Sequence, residues 1–302
     1  MQGGVNPPFL NLGNLMFYRS TSYIFLLEVK MMINKSYKHW MIVFLMCCLA
    51  ASSIGLCTNA IGVFYTPVSK SLHVLKGTFA MHATLSTLIT ALTSLKMSKL
   101  IRKYNYKKIL LIGVLLSSVS TWMMSYSRSV YLFYILGILR GIGVGIGGMV
   151  PITVIITNWF DEKHGLATSL ALSFSGLAGA IFSPLLSSWI ISYGWQMTYR
   201  LMASCIIILV LPVLIVPWKI NPQEEGMLPY GYQEKKDTIK IQNKKVNLIT
   251  ISFICMCIFT LLHTSITGIS QHLSGIALSI HLSATSGAIL MSLTMIGNIS
   301  TK

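Results

Sequence analysis

Acidic residues are nearly absent. The chain carries 7 Asp and Glu against 23 Lys and Arg, and the four types together make up 10% of its 302 residues. A water-soluble domain has roughly 25% charged residues, so there are too few here to clothe a surface in water. With 54% hydrophobic residues and a mean hydropathy of +0.69, the chain is suited to lipid. Metal-site spacing is also missing. The six cysteines, at 47, 48, 57, 205, 255 and 257, all fall inside apolar runs, without the polar flanks of a zinc site. Cys255 and Cys257 are two apart, which on a helix points them away from each other. All six read as small core or lipid-facing residues; no metal and no cofactor is implied. A shielded nucleophile–base pair is missing as well. Asp161 and Glu162 sit in a loop, so no catalytic residue and no enzyme is expected. The apolar patch Tyr23 to Leu27 is too short to span, and no cleavable leader is expected. Met31 and Met32 stand just before the first basic cluster and fit a start there, with residues 1–30 an extension.

What is there is long apolar runs. A span needs about 20 apolar residues. Eight stretches qualify, at about 40–66, 78–97, 108–126, 130–158, 166–192, 199–218, 247–270 and 283–300. They lack the ten-residue alternation of a transmembrane barrel, so an all-α integral membrane protein is expected. The formal net charge of +16 has two readings: a nucleic-acid partner or membrane topology. The positions decide for topology. Lys30, Lys35 and Lys38 precede span 1; Lys99, Arg102, Lys103, Lys107 and Lys108 join spans 2 and 3. The DEKHG stretch joins 4 and 5; Lys219, Lys235, Lys236, Lys240, Lys244 and Lys245 join 6 and 7. The other connections are poorer in basic residues. This alternation places the N-terminus and the 219–246 loop in the cytoplasm, and no nucleic-acid partner is needed to explain it.

The spans group as a cytoplasmic segment 1–39, a six-helix bundle 40–218, a linker loop 219–246 and the start of a second bundle at 247–302. Sliding the chain on itself by 206 brings Thr58 onto Thr264, Gly62 onto Gly268, Ser94 onto Ser300 and Lys96 onto Lys302. That offset aligns spans 1 and 2 with spans 7 and 8, and predicts a shortened second half.

The most informative stretch is LRGIGVGIGGMVPITVIITNWFDEKHGLA, residues 139–167. Arg140 lies about ten residues into span 4. A charge at that depth costs roughly 2.5–3.5 kcal/mol on insertion scales, so it should face the bundle interior. Two readings stand: Arg140 attracts an anion or organises the cavity, or it bonds backbone carbonyls of a neighbouring helix. Gly141, Gly143, Gly145, Gly147 and Gly148 allow close helix approach, and Pro151 removes a backbone donor. No strand precedes these glycines, so a dinucleotide fold is not indicated. In span 5, Gly176 and Gly179 share a face with Pro184 beyond, either as static packing or as a surface on which helices rock. Asn59, Tyr65, His82 and His263 are further cavity candidates. Either His has an unperturbed pKa suited to carrying a coupled proton; a hydrogen-bonded packing role is the other reading.

These motifs resemble the major facilitator superfamily, which carries an Arg followed by glycines in span 4, as LRGIGVG does. It also carries a Gly-rich, Pro-ended signature in span 5, similar to Gly176-x-x-Gly179-x4-Pro184, and a 4–5 loop like NWFDEKHGLA. The 2–3 loop SKLIRKYNYKK keeps the basic character of the family signature. It has Ser98, Arg102 and Asn105 where Gly, Asp and Gly are common, so the acidic partner is missing. NPQEEGMLPYG and GWQMTYR resemble the oxalate/formate antiporter and monocarboxylate porter branch. The resemblance implies a major facilitator-type helical bundle with about eight of twelve spans present. It also implies transport of a small organic anion by alternating access, as an antiporter or with a coupled proton or counter-anion, in the cell membrane. The alternative is a shortened, non-transporting membrane protein with a receptor or assembly role. In the oxalate exchanger type, the cations that hold the dianion sit in the second half, and spans 7 and 8 here contain no Arg or Lys.

Overall fold

Hydrocarbon offers no hydrogen bonds, so a spanning chain must satisfy its backbone internally, and this one does so with helices. The computed structural model describes residues 37–232 and 250–300. The chain divides after Met41 into two units, and the packing described below belongs to the second, Ile42–Lys302. In order the helices are α1 (Tyr37–Ser71), α2 (Lys76–Lys103), α3 (Tyr106–Met124) and α4 (Val130–Trp159). His164–Ile215 is continuous except at Gly194, whose φ of 80° and ψ of 162° break it into α5 (164–193) and α6 (195–215). Then come α7 (Ile251–Ile269), a 3-10 turn at Ser270–His272, α8 (Leu273–Ser279) and α9 (Ala284–Ser300). Among the described residues no strand forms; an isolated bridge pairs Phe160 with Tyr230.

Each of the eight expected spans is found as helix. Four stretches are long and apolar enough to cross a membrane: Tyr37–Ser71, Tyr106–Met124, Val130–Trp159 and His164–Ile215, the last holding two expected spans. Helix α2 has the length, but its hydroxyl and basic side chains lower its hydropathy. The apolar cores of α7 and α9 are shorter, Ile251–Leu262 and Thr285–Gly297. Apolar side chains cover the outside as well as the core, and some polar ones are buried. Leu95, Ile112, Ile135, Ile191 and Ile208 are exposed, while Ser52, Ser118, Thr121, Thr198 and Arg140 are buried. That distribution fits an oily exterior solvent.

Close approach is set by glycines. A Cβ on Gly141 would run into the Ser86 carbonyl of α2, and one on Gly145 would lie 2.6 Å from Thr93 Cβ. Gly143 faces the other way, against Ser117 and Gly113 of α3. Gly176 is buried in α5; a Cβ on Gly179 would lie 2.9 Å from Asn59 Cβ and 3.4 Å from Met295 Cγ. The α2–α4 contact is fastened by Thr90 Oγ1 donating to the Gly141 carbonyl at 3.0 Å, and the α3–α6 contact by Ser118 Oγ donating to the Ala203 carbonyl at 3.0 Å.

The two proline signatures resolve into one device. A helical proline leaves the carbonyl four residues earlier without its partner. For Pro151 that carbonyl is Gly147, and Ser53 Oγ of α1 donates to it at 2.7 Å. Tyr106 O–H donates to the neighbouring Ile146 carbonyl at 3.1 Å. The helix axis breaks at Gly148 (φ −87°, ψ −154°), so Pro151 sits in the first turn of the second segment, Met149–Trp159, where a missing N–H costs nothing. For Pro184 the freed carbonyl is Ala180, and Ser292 Oγ of α9 donates to it at 2.7 Å. Helix α9 thus docks on α5 through the small face at Gly179 and the acceptor released by Pro184.

Ser53→Ala should lower the melting temperature in detergent by a few degrees, about 1 kcal/mol for a buried carbonyl left unmet, with membrane insertion unchanged. Ser292→Ala should loosen α9 specifically, raising cysteine labelling in α9 while α1–α6 keep their protection; uniform labelling across all helices would contradict that docking role.

Candidate functional site

The middle of α1 does not wind regularly. Ala51–Asn59 is π-helical and Ile61–Phe64 is 3-10, before α-helix resumes at Tyr65–Ser71. Wide turns of this kind recur at functional sites. Here Cys57 and Thr58 of the π segment face Ser86, Thr87 and Thr90 of α2 across a cavity of about 70 Å³ that is also lined by Arg140 and Gln271.

Arg140 is 1% exposed. Among the described residues its one hydrogen bond runs from Nη1 to Met124 Sδ at 3.9 Å, a weak acceptor. Its Nε, fully buried, has no partner. Among the described residues no backbone carbonyl and no carboxylate hydrogen-bonds the guanidinium. The seven acids of the chain are at 28, 161, 162, 224, 225, 234 and 237, all outside the spans.

His82 is fully buried. Its Nδ1 lies 2.6 Å from the Phe79 carbonyl, which leaves Nε2 without a partner. Phe79 and Phe133 flank the imidazole at 4.5 and 5.9 Å between centroids, and Tyr65 meets it edge-on at 6.2 Å. Tyr65 O–H donates to Gln271 Oε1 at 3.0 Å, and Gln271 Nε2 donates to the Thr58 carbonyl at 3.4 Å. The 3-10 turn carrying Gln271 presses on Gly62, where any Cβ would strike the Gln271 backbone. Ser274 Oγ adds a bond to the Gly62 carbonyl at 3.1 Å.

Tyr65 thus meets His82 and bonds Gln271, which lines the cavity with Arg140, while Tyr65 and His82 are not themselves on that cavity's wall. Asn59 turns elsewhere: its Nδ2 donates to the Ser175 carbonyl of α5 at 3.0 Å. His263 lies on α7, and its side chain is outside the described residues. Two residues join the cluster that sequence reasoning had not singled out. Gln271, expected at the outer edge of span 7, lines the cavity. Tyr199, inside GWQMTYR, is fully buried and stacks on Phe64 at 4.0 Å, with its hydroxyl unpartnered. Nothing but its place in that motif marked Tyr199, since an aromatic in an apolar run usually packs.

Among the described residues no group of three or more His, Cys, Asp or Glu is placed to hold a metal ion. The arrangement is a fixed buried cation among hydroxyl and imidazole donors. In a low dielectric the charge of such a cation is poorly screened.

In sequence the chain is similar to proteins named as transporters. The uncharacterized MFS-type transporter YcxA of Bacillus subtilis (strain 168) is 24% identical over 169 residues, 56% of this chain and 41% of that protein. The riboflavin transporter RibJ of Trypanosoma cruzi (strain CL Brener) is 33% identical over 76 residues, 25% of this chain and 16% of that protein. Monocarboxylate transporter 3 of Gallus gallus is 24% identical over 190 residues, 62% of this chain and 32% of that protein. The chain spans less than half the length of each. The sequence model described as Major Facilitator Superfamily matches residues 47–302, and the chain belongs to that superfamily of membrane transporters.

Proposed function

We propose that the chain carries a small organic anion, a mono- or dicarboxylate, across the cell membrane by alternating access. The single observation behind this reading is Arg140: a buried guanidinium whose Nε has no partner, on a cavity of about 70 Å³, in spans without any carboxylate. A buried cation left uncompensated is costly, and an anionic solute supplies what the protein withholds. One relative is named for riboflavin and another for monocarboxylates; a cavity this small favours a solute of a few heavy atoms. His82 Nε2 and the Tyr199 hydroxyl, unpartnered but off this cavity's wall, become further donors or acceptors for it when the cavity widens during the cycle. No catalytic step is involved.

In this reading the N-terminus and the 219–246 loop are cytoplasmic. Residues 40–218 form one bundle and 247–302 begin the other, and the two rock about the site, with Gly176, Gly179 and Pro184 on the moving surface. The Tyr65–Gln271 hydrogen bond joins residues 206 apart, the same offset as the internal repeat. Positions related by a twofold axis meet only close to that axis, which supports a site between the two repeats. The bond runs between this cavity, lined by Gln271, and a neighbouring one lined by Tyr65 and His272, where an occluding contact would act.

The test is uptake of labelled formate, lactate, pyruvate and oxalate into proteoliposomes. Arg140→Gln should reduce anion uptake by about tenfold or more, the scale of one lost charge-assisted bond, while insertion is kept; unchanged uptake removes Arg140 from the site, and no uptake of any anion by the wild type favours the non-transporting alternative. Tyr199→Phe deletes a hydroxyl that bonds nothing in the empty protein, so thermal stability should hold while the apparent KM rises. A proton gradient should drive uptake in the wild type and cease to do so in His82→Gln if the imidazole carries the coupled proton. Equal gradient sensitivity in both assigns coupling elsewhere, and insensitivity in both assigns exchange against a counter-anion.

A further inference from the structure

A second cavity lies away from the Arg140 site, at the end of the molecule where the basic loops gather. The last turn of α2, the first turn of α3 and the stretch that follows α6 enclose about 780 Å³. Arg102, Lys103, Lys107 and Lys219 stand on its wall against one carboxylate, Glu224.

These charges are not equivalent. Lys107 is fixed: its Nζ donates to the Val216 carbonyl at 2.5 Å and lies 5.4 Å from the centre of the Trp218 ring. Lys103 lies 5.3 Å from the centre of the Tyr104 ring. Arg102, Lys103 and Lys219 are exposed. The nearby acids are engaged locally, Glu224 Oε1 accepting from Asn221 Nδ2 at 2.8 Å and Glu225 Oε1 from the Lys219 backbone N–H at 2.7 Å. The wall therefore keeps a surplus of positive charge in a concave, half-open space. Asn105 caps α3, its Oδ1 accepting from the Lys107 N–H at 3.1 Å, so the positive end of that helix also points here.

The position is as informative as the charge. Tyr104, which follows directly on α2 and is 53% exposed, stands on the cavity wall. Aromatic residues with one wet edge mark the headgroup level of a bilayer. Basic pockets between helix ends at that level hold acidic headgroups, and a phosphate group uses several cations and a helix N-terminus at once.

We propose that this cavity binds the phosphate-bearing headgroup of an anionic phospholipid, independently of the transported solute. The proposal rests on the orientation given above only for the leaflet that supplies the lipid, so its test uses protein in detergent, where both faces are open. Purified full chain is incubated with phosphatidylglycerol or phosphatidylcholine, and retained lipid is read by native mass spectrometry. Phosphatidylglycerol should be retained about tenfold over phosphatidylcholine, and that preference should fall about tenfold in the triple variant Arg102→Gln, Lys103→Gln, Lys219→Gln. Lys219→Gln alone, an exposed position, should give a partial loss if the triple variant does not fold, and Lys70→Gln, at the other end of the molecule, should give none. Inorganic phosphate or glycerol 3-phosphate displacing the lipid at low concentration would assign the site to a free phosphate instead of a lipid. Equal retention of the two lipids, or a preference the variants do not alter, would overturn the proposal.

Discussion

In hydrocarbon a polar group must find its partner within the protein, and that constraint organises this molecule. It explains why the spanning segments are helices, and it governs the places where helices fail. Pro151 and Pro184 each strand a carbonyl, and in each case a serine from another helix takes it up, Ser53 for Gly147 and Ser292 for Ala180. A local defect thereby becomes a tertiary fastening: α1 to α4 in one case, α5 to α9 in the other. The glycines do complementary work. They bring backbones close enough that a short hydroxyl, not a long amide or a water, can bridge them.

Against that background the exceptions stand out. Arg140 Nε, His82 Nε2, the Tyr199 hydroxyl and Thr66 Oγ1 are buried without partners. A core built only for stability would not concentrate them, since each forgoes a bond the medium cannot supply. Thr66 adjoins Tyr65, which meets His82 edge-on. Where most of the interior is satisfied so economically, these unmet donors and acceptors are what supports the proposed solute site.

Much of this was legible in the sequence, and the limits of that legibility are physical. Hydropathy located all eight rods because the length of an apolar run is set by bilayer thickness. Expected and observed ends agree within a few residues for spans such as 130–158 and 166–192. The charge of Arg140 and the glycines behind it announced an interior-facing helix, because neither is tolerable against lipid without a reason. The π-helical turn at Ala51–Asn59 left no comparable mark: its sequence, ASSIGLCTN, suits an ordinary helix, and the widening depends on partners in other helices. The break at Gly148 was three residues from the proline that suggested it, since a proline acts on the turn before it. Tyr199 and Gln271 were passed over for opposite reasons, one resembling packing and the other a helix end. Only the three-dimensional path carries Gln271 back over the cavity.

Gln271 is where these threads meet. Its amide nitrogen holds the Thr58 carbonyl in the widened part of α1, its oxygen accepts from Tyr65, and its side chain lines the space beside Arg140. A solute that competes for either half of this amide must disturb the closure at Tyr65. A solute too small to reach it would leave the closure intact. In the proposed carrier, the same residue would register occupancy and hold the end of the cavity shut, without any mechanical linkage beyond two hydrogen bonds. Such bonds are worth about 1 kcal/mol each, comparable to the biases that shift a carrier between its states, and weak enough to be exchanged at every turnover.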